Sequence, residues 1–381
     1  MRKLILAGAV VVMGCGGDSG STGTVQFTAS GEVLALNGYR FPPVNPGDPD
    51  FVDGWDVTFT KFIAVFDKVT LSPGPDTSSS DQSQVGGAPV ATINGPWAID
   101  LHKGGPLPGK GGGDEQSMAI QSVANVPAGS RLAFGFDSVP ATAAAKLINI
   151  DAGDADYAAM VTNGWNVLYV GTAVWNGTKN GNTCSSTNAN YDFSQFTKMG
   201  TVNFRFGFAT PTSYVNCQNP DNDPAKALGD EEHERGVQIT AGQTTVAQVT
   251  FHTDHPFWES FTHDTPAHFD QLASLAVKQS DGTYLVTLDS TKGVNYTAFK
   301  GPDGNPLPWH ACDSMYTPPN MNAQMGFDSL SYAYNPTGDA TKTARNYIVD
   351  YQDYMKYDQS TQGHLNSDGL CYVKRNYPSA Q

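Results

Sequence analysis

The sequence predicts an all-β fold, an antiparallel β-sandwich with long loops, a few short helices and a C-terminal extension, and three observations carry that prediction. Seven segments alternate apolar and polar residues with period two between Gly, Pro, Asn or Asp. Helical periodicity is confined to four short stretches, so the crossover helices that a parallel α/β sheet needs are missing between most strands. Forty Gly and 24 Pro supply turns, while a hydrophobic fraction of 39% against 15% charged is enough for a core and excludes wholesale disorder.

At the N-terminus Arg2 and Lys3 precede an apolar run over 4–13. This is the anatomy of an export signal, because a membrane span needs about 20 apolar residues. The run ends Val12-Met13-Gly14-Cys15, which resembles the bacterial lipobox. That resemblance implies a signal over residues 1–14, a diacylglycerol thioether on Cys15 and an N-acyl chain such as palmitate. Two signals of this kind give stable anchoring. Gly16 rather than Asp after the cysteine implies the outer membrane, and residues 15–23 read as the lipidated cysteine with a flexible Gly/Ser/Thr tether.

Strands are expected at 24–36, 55–71, 131–136, 165–175, 201–208, 244–252 and 283–288, with exposed low-complexity loops at 73–87 and 104–113. Helical patterns fall at 141–148, 152–162, 266–277 and 340–357. The last places Tyr347, Tyr351 and Tyr354 on one face, a stripe suited to docking on the sandwich. Residues 24–289 then form the sandwich domain and 290–381 an extension packed on it. Trp55, Trp97, Trp165 and Trp175 are read as core filling rather than a glycan-binding face.

Removal of Arg2 and Lys3 with the signal takes the formal charge from −15 to −17. Such a surface repels nucleic acid and anionic headgroups, so membrane attachment falls to the lipid alone. Beyond Cys15 an even four cysteines remain, Cys184, Cys217, Cys312 and Cys371, as an oxidising compartment favours. Three pairings are formally open. The local one, Cys184 with Cys217 and Cys312 with Cys371, is preferred because each pair brackets a Gly/Asn/Pro-rich stretch. No CxxC supports a zinc ribbon or thioredoxin-like site.

The strongest chemical signal is His252, His255, His263 and His268, half of the eight histidines, at the end of the expected strand 244–252. With Val249 and Phe251 facing the core, period two turns Thr250, His252 and Asp254 to the opposite face. Imidazole without thiolate suits copper or zinc, with Asp254, Glu259 and Asp264 as further ligands or outer acceptors. His310 could join from the extension. Segment 246–272, with H-x-D-H, an aromatic turn and a helix, is similar to a pattern in lipoproteins of myxobacterial type. The order of strand 56–71, the stretch Trp97-Ala98-Ile99-Asp100-Leu101, and Val126-Pro127-Ala128-Gly129-Ser130 leading into 132–135 resembles MbnP-like copper-associated lipoproteins over about half the chain. That resemblance implies copper at His252 and His255.

Asp48, Asp50, Asp53 and Asp56 form a second, oxygen-rich group compatible with calcium, although no EF-hand register is present. The leading function is therefore an envelope lipoprotein binding copper or zinc. The alternative is a surface structural or adhesion lipoprotein that contacts a glycan or an envelope protein through its loops. An enzyme would need an open metal position and a base, for which Glu259 is the candidate, so binding is favoured over catalysis. Gly17-Asp18-Ser19-Gly20 lies in the tether, where no base could be positioned. No G-x-S-x-G, HExxH, Walker A or dinucleotide fingerprint occurs.

Overall fold

Alternation of aromatic or β-branched residues with small and polar ones sets the strands of a two-sheet, all-β architecture. The computed structural model describes residues 21–186, 193–222, 233–258, 266–294, 310–313 and 350–378. Strand β1 covers Thr22–Ser30, β2 Trp55–Pro73, β3 Gln116–Pro127, β4 Arg131–Ser138, β5 Val167–Trp175 and β6 Thr201–Phe208. It continues with β7 at Thr212–Val215, β8 at Thr244–Phe251, β9 at Tyr284–Thr287, β10 at Gly363–Leu365 and β11 at Tyr372–Arg375. Five α-helices are described: α1 Glu32–Asn37, α2 Ala155–Asn163, α3 Ser194–Met199, α4 Asp270–Ser274 and α5 Tyr351–Gln359.

The smaller sheet has the order Gly369–Leu370, β10, β8, β1, β3, Leu107–Pro108. The larger runs Val277–Lys278, β9, β6, β5, β2, β4, β7, β11, with four short strands attached beside it. Most pairings are antiparallel, but β1 runs parallel to β8, β6 to β9, and Trp97–Asp100 to Lys146–Ile148. An antiparallel sandwich is thus too strict a description. These partners are not joined by tight turns, so nothing local forces their direction.

The core lies between the sheets. Val25, Phe27 and Ala29 of β1 and Ala247, Val249 and Phe251 of β8 share one hydrophobic cluster with Phe62, Phe66, Phe134 and Tyr169 of the larger sheet. Phe251 joins the layers most directly, with ring centroids 6.2 Å from Phe66 and 5.7 Å from Phe136. A smaller cluster on the other face of the large sheet packs Ile63, Val65 and Leu168 under Tyr157 and Met160 of α2. That helix starts where Asp154 accepts from the Asp156 and Tyr157 amides, and it stops at left-handed Gly164. Trp55, Trp97 and Trp175 are buried, as core filling requires, and Trp165 is half-buried.

Several expectations need correction. The strand expected over 24–36 ends at Ser30, because Gly31 and a left-handed Glu32 turn the chain into α1. Residues 141–148 are not helical: Lys146–Ile148 pairs with Trp97–Asp100, a tertiary ladder that overrides alanine propensity. The helix expected over 266–277 is cut to α4. Strand β3 went unread because its outward positions dominate its composition. In the C-terminal region β10 joins the small sheet and β11 the large one, with Tyr351 and Tyr354 of α5 buried; Tyr347 lies outside the described residues.

The cysteines pair as Cys184–Cys312 and Cys217–Cys371, not locally. Backbone docking explains this: the Cys312 amide donates to Val52 O, and the Gln218 amide donates to Leu370 O, so each bridge fixes a late segment to the body. Peptide mapping without reduction should recover these two interleaved linkages. Replacing Cys217 and Cys371 together by Ser should lower stability in chemical denaturation by roughly 2–5 kcal/mol. Phe251→Ala, which empties the junction between the sheets, should cost about 3–5 kcal/mol in the same measurement.

Candidate metal centre

From Ala247 to its end, strand β8 is buried on both faces. Alternation sends Ala247, Val249 and Phe251 into the aromatic core and turns Gln248, Thr250 and His252 to the opposite, equally buried side. Each polar group on that side is answered. The Gln248 side chain donates to Glu115 Oε1 at 2.8 Å and accepts from the Lys110 amide at 3.1 Å. Asn366 brackets the Gln248 backbone, accepting from its N–H at 2.9 Å and donating to its C=O at 3.0 Å. Thr250 Oγ1 accepts from the Ser367 amide at 3.1 Å. Burial holds the Glu115 carboxyl above the usual range, against the hydrogen bonds from Ser30 and Gln248.

Ladder register brings the histidines together. His364 of β10 stands opposite Thr250, so His252, two residues on, is its diagonal neighbour on the same face. The two imidazoles stack with centroids 4.1 Å apart and planes within 2°. His255, in the 3-10 turn His255–Phe257 that follows, approaches both rings edge-on with centroids 5.4 Å away. Its own face is stacked on Trp258 at 3.8 Å. All three histidines are buried, and one ligand atom from each lies within 4.8 Å of the others. This buried group could hold a metal ion.

A second convergence shares His252. Glu32 and Asp368 each present a carboxylate oxygen within 4.8 Å of the His252 ligand atom and of each other. His252 Nε2 is 3.5 Å from Glu32 Oε1, 3.8 Å from Asp368 Oδ1 and 3.3 Å from the Ser367 carbonyl. The Ser367 hydroxyl, with one proton to donate, lies 2.6 Å from Glu32 Oε1 and 3.0 Å from Asp368 Oδ2. Burial alone would depress the His252 imidazole, but Glu32, by charge and hydrogen bond, together with Asp254 and Asp368, pushes it up to about 10. Burial likewise raises Asp254, against the attraction of His252 and a hydrogen bond from Trp258. Glu32 (φ 62°) and Ser367 (φ 74°) hold left-handed backbone, costing about 1–2 kcal/mol each, to bring these groups to the centre.

Of the histidines expected here, His252 and His255 are brought together and His268 is not. It is buried elsewhere, with Nδ1 3.7 Å from Asp53 Oδ2. His263, Glu259 and Asp264 lie outside the described residues. His310 pairs through its backbone with Ser186 in a short strand next to the Cys184–Cys312 bridge. Cys15 also lies outside the described residues, and among those described no helix is long and apolar enough to cross a membrane. Three contributors, Glu32, His364 and Asp368, were missed. The Gly363-His364-Leu365 alternation, closed by Asn366-Ser367-Asp368-Gly369, was the available hairpin signal. No protein-family model matches the chain, and no curated protein or solved structure does either.

The four acids read as a calcium group take separate roles. Asp48 accepts from the Asn45 amide at 2.8 Å, and Asp56 faces Arg40 at 3.5 Å. Asp53 accepts from the Phe269 and Asp270 amides at 2.7 and 2.8 Å, which caps α4. Asp50 is half-buried, and burial followed by the charges of Asp313 and Asp53 pushes it up to about 7 despite His268. Its folded value lies above the ordinary 3.8, so the folded state holds the extra proton and this group's contribution to stability falls as pH rises from about 4 to about 7. Asp50→Asn should therefore raise the melting temperature relative to wild type at pH 8 and leave it nearly unchanged at pH 4, as read by calorimetry.

Proposed function

We propose that this protein is an outer-membrane lipoprotein, anchored through Cys15, that binds copper or zinc through His252, His255 and His364. One observation carries the reading: three buried imidazoles, two from the turn just past β8 and one from β10, offer ligand atoms within 4.8 Å of one another. Imidazole is the donor both ions accept, and the four cysteines of the folded body are paired as disulfides, which leaves a site without thiolate. Glu32 and Asp368 stand beside His252 as oxygen donors for a further coordination position.

The parallel rings of His252 and His364 share no in-plane point. A common ion therefore requires one imidazole to turn about its Cβ–Cγ bond, and at His252 the ion takes the place of a proton. The resemblance to MbnP-like copper-associated lipoproteins favours copper of the two. The lipid anchor confines the site to the envelope, where it meets metal ions, proteins and glycans diffusing past.

Protein purified without an affinity tag and then loaded with copper or zinc should carry close to one ion per chain by mass spectrometry. His364→Ala, and His252→Ala combined with His255→Ala, should each lose at least tenfold in affinity by titration calorimetry. Substoichiometric metal in the loaded wild-type protein would sink the reading. Mass analysis of the N-terminal peptide should find two acyl-type modifications on Cys15, absent in Cys15→Ala.

A further inference from the structure

Helix α5 ends beside the 3-10 turn that carries His255, and Tyr354 of that helix donates to Trp258 O at 2.8 Å. Just past the helix, Thr361 Oγ1 makes two short contacts. It lies 2.7 Å from Asp358 O and 2.7 Å from His255 Nδ1. A carbonyl oxygen only accepts, so an O···O approach this close requires a proton between the atoms, and the Thr361 hydroxyl is its only source. The hydroxyl proton is thereby committed to Asp358 O. What remains at Thr361 Oγ1 is lone pairs, and the partner at 2.7 Å must donate to them.

We infer that Thr361 is the positioning residue of the metal centre: by accepting from His255 Nδ1–H it fixes the imidazole tautomer that leaves Nε2 as the ligand atom. The inference rests on the metal-binding reading above. A metal-ligating histidine takes its donor atom from the hydrogen bond made by its other nitrogen, which also holds the ring in the plane the ion needs. Trp258 holds the face of the His255 ring and Thr361 its Nδ1 edge, on a backbone set by the 3-10 turn. His252 is wired the opposite way. The Ser367 carbonyl at 3.3 Å from its Nε2 can only accept, so that nitrogen carries hydrogen in the metal-free protein. The centre therefore joins a ligand ring whose outer nitrogen is already spoken for to one that must give up a proton or turn.

The test has two parts. Nitrogen-15 NMR of the metal-free protein should show His255 protonated at Nδ1 and bare at Nε2; the opposite tautomer overturns the inference whatever the metal does. Copper and zinc titrations should then show Thr361→Val, nearly isosteric but without the hydroxyl, roughly 10–100-fold weaker than wild type. Thr361→Ser, which restores the hydroxyl, should recover to within a few-fold. Circular dichroism checks that each variant is folded, and an unfolded Thr361→Val leaves the tautomer measurement and the Ser variant to decide. Thr361→Val that binds like wild type overturns the positioning role alone. Wild-type protein that takes up neither metal overturns the metal reading itself, with the tautomer still measurable.

Discussion

A strand whose second half has no solvent-facing side is the constraint on which the rest of the molecule depends. Strand β8 is clamped between β1 and, at its end, β10, and from Ala247 on both of its faces are covered. One face is satisfied by aromatic packing around Phe251. The other carries Gln248, Thr250 and His252, and buried amide, hydroxyl and imidazole groups each cost several kcal/mol unless hydrogen-bonded. The loop that contains Lys110 and Glu115, the start of α1 and the hairpin over 363–370 all pack onto this second face and supply its partners.

Electrostatics follow from that packing. Glu32, Asp254 and Asp368 gather around His252, and without a cation among them the acids would repel in a poorly solvated layer. A protonated His252 provides that cation in the metal-free protein. Two left-handed residues that are not glycine, Glu32 and Ser367, show that the arrangement is held against local backbone preference. Gly363 serves the same end sterically: a Cβ there would sit 2.5 Å from the Tyr214 ring of β7, so glycine lets the start of β10 pack this closely on the larger sheet while its ladder with β8 places His364 on His252.

Much of the fold was legible because long strands declare themselves by alternation. The expected strand 201–208 coincides with β6, and the one over 55–71 is two residues short of β2. Alternation also placed His252 opposite the core from Val249 and Phe251 alone. Less was legible wherever two distant segments meet. His364 adds a third imidazole only through the register Thr250↔His364, which spans more than a hundred residues and leaves no local trace. The disulfides were misread for the same reason, since proximity along the chain is no guide once late segments dock on early ones. His268, close in sequence to His255, sits instead beside Asp53, whose carboxylate also accepts from the first amides of α4.

The hairpin that carries His364 and Asp368 has a further consequence. Through β10 it pairs with Val249, Thr250 and Phe251, and so closes what would be an open edge of the small sheet. A chain that had not yet delivered residues 363–370 would present those backbone donors and acceptors as a template for another molecule's strand, flanked by uncovered polar groups. In chain order these residues follow all the other described strands except β11. The segment that completes the histidine group is therefore also the one that covers this edge of the small sheet.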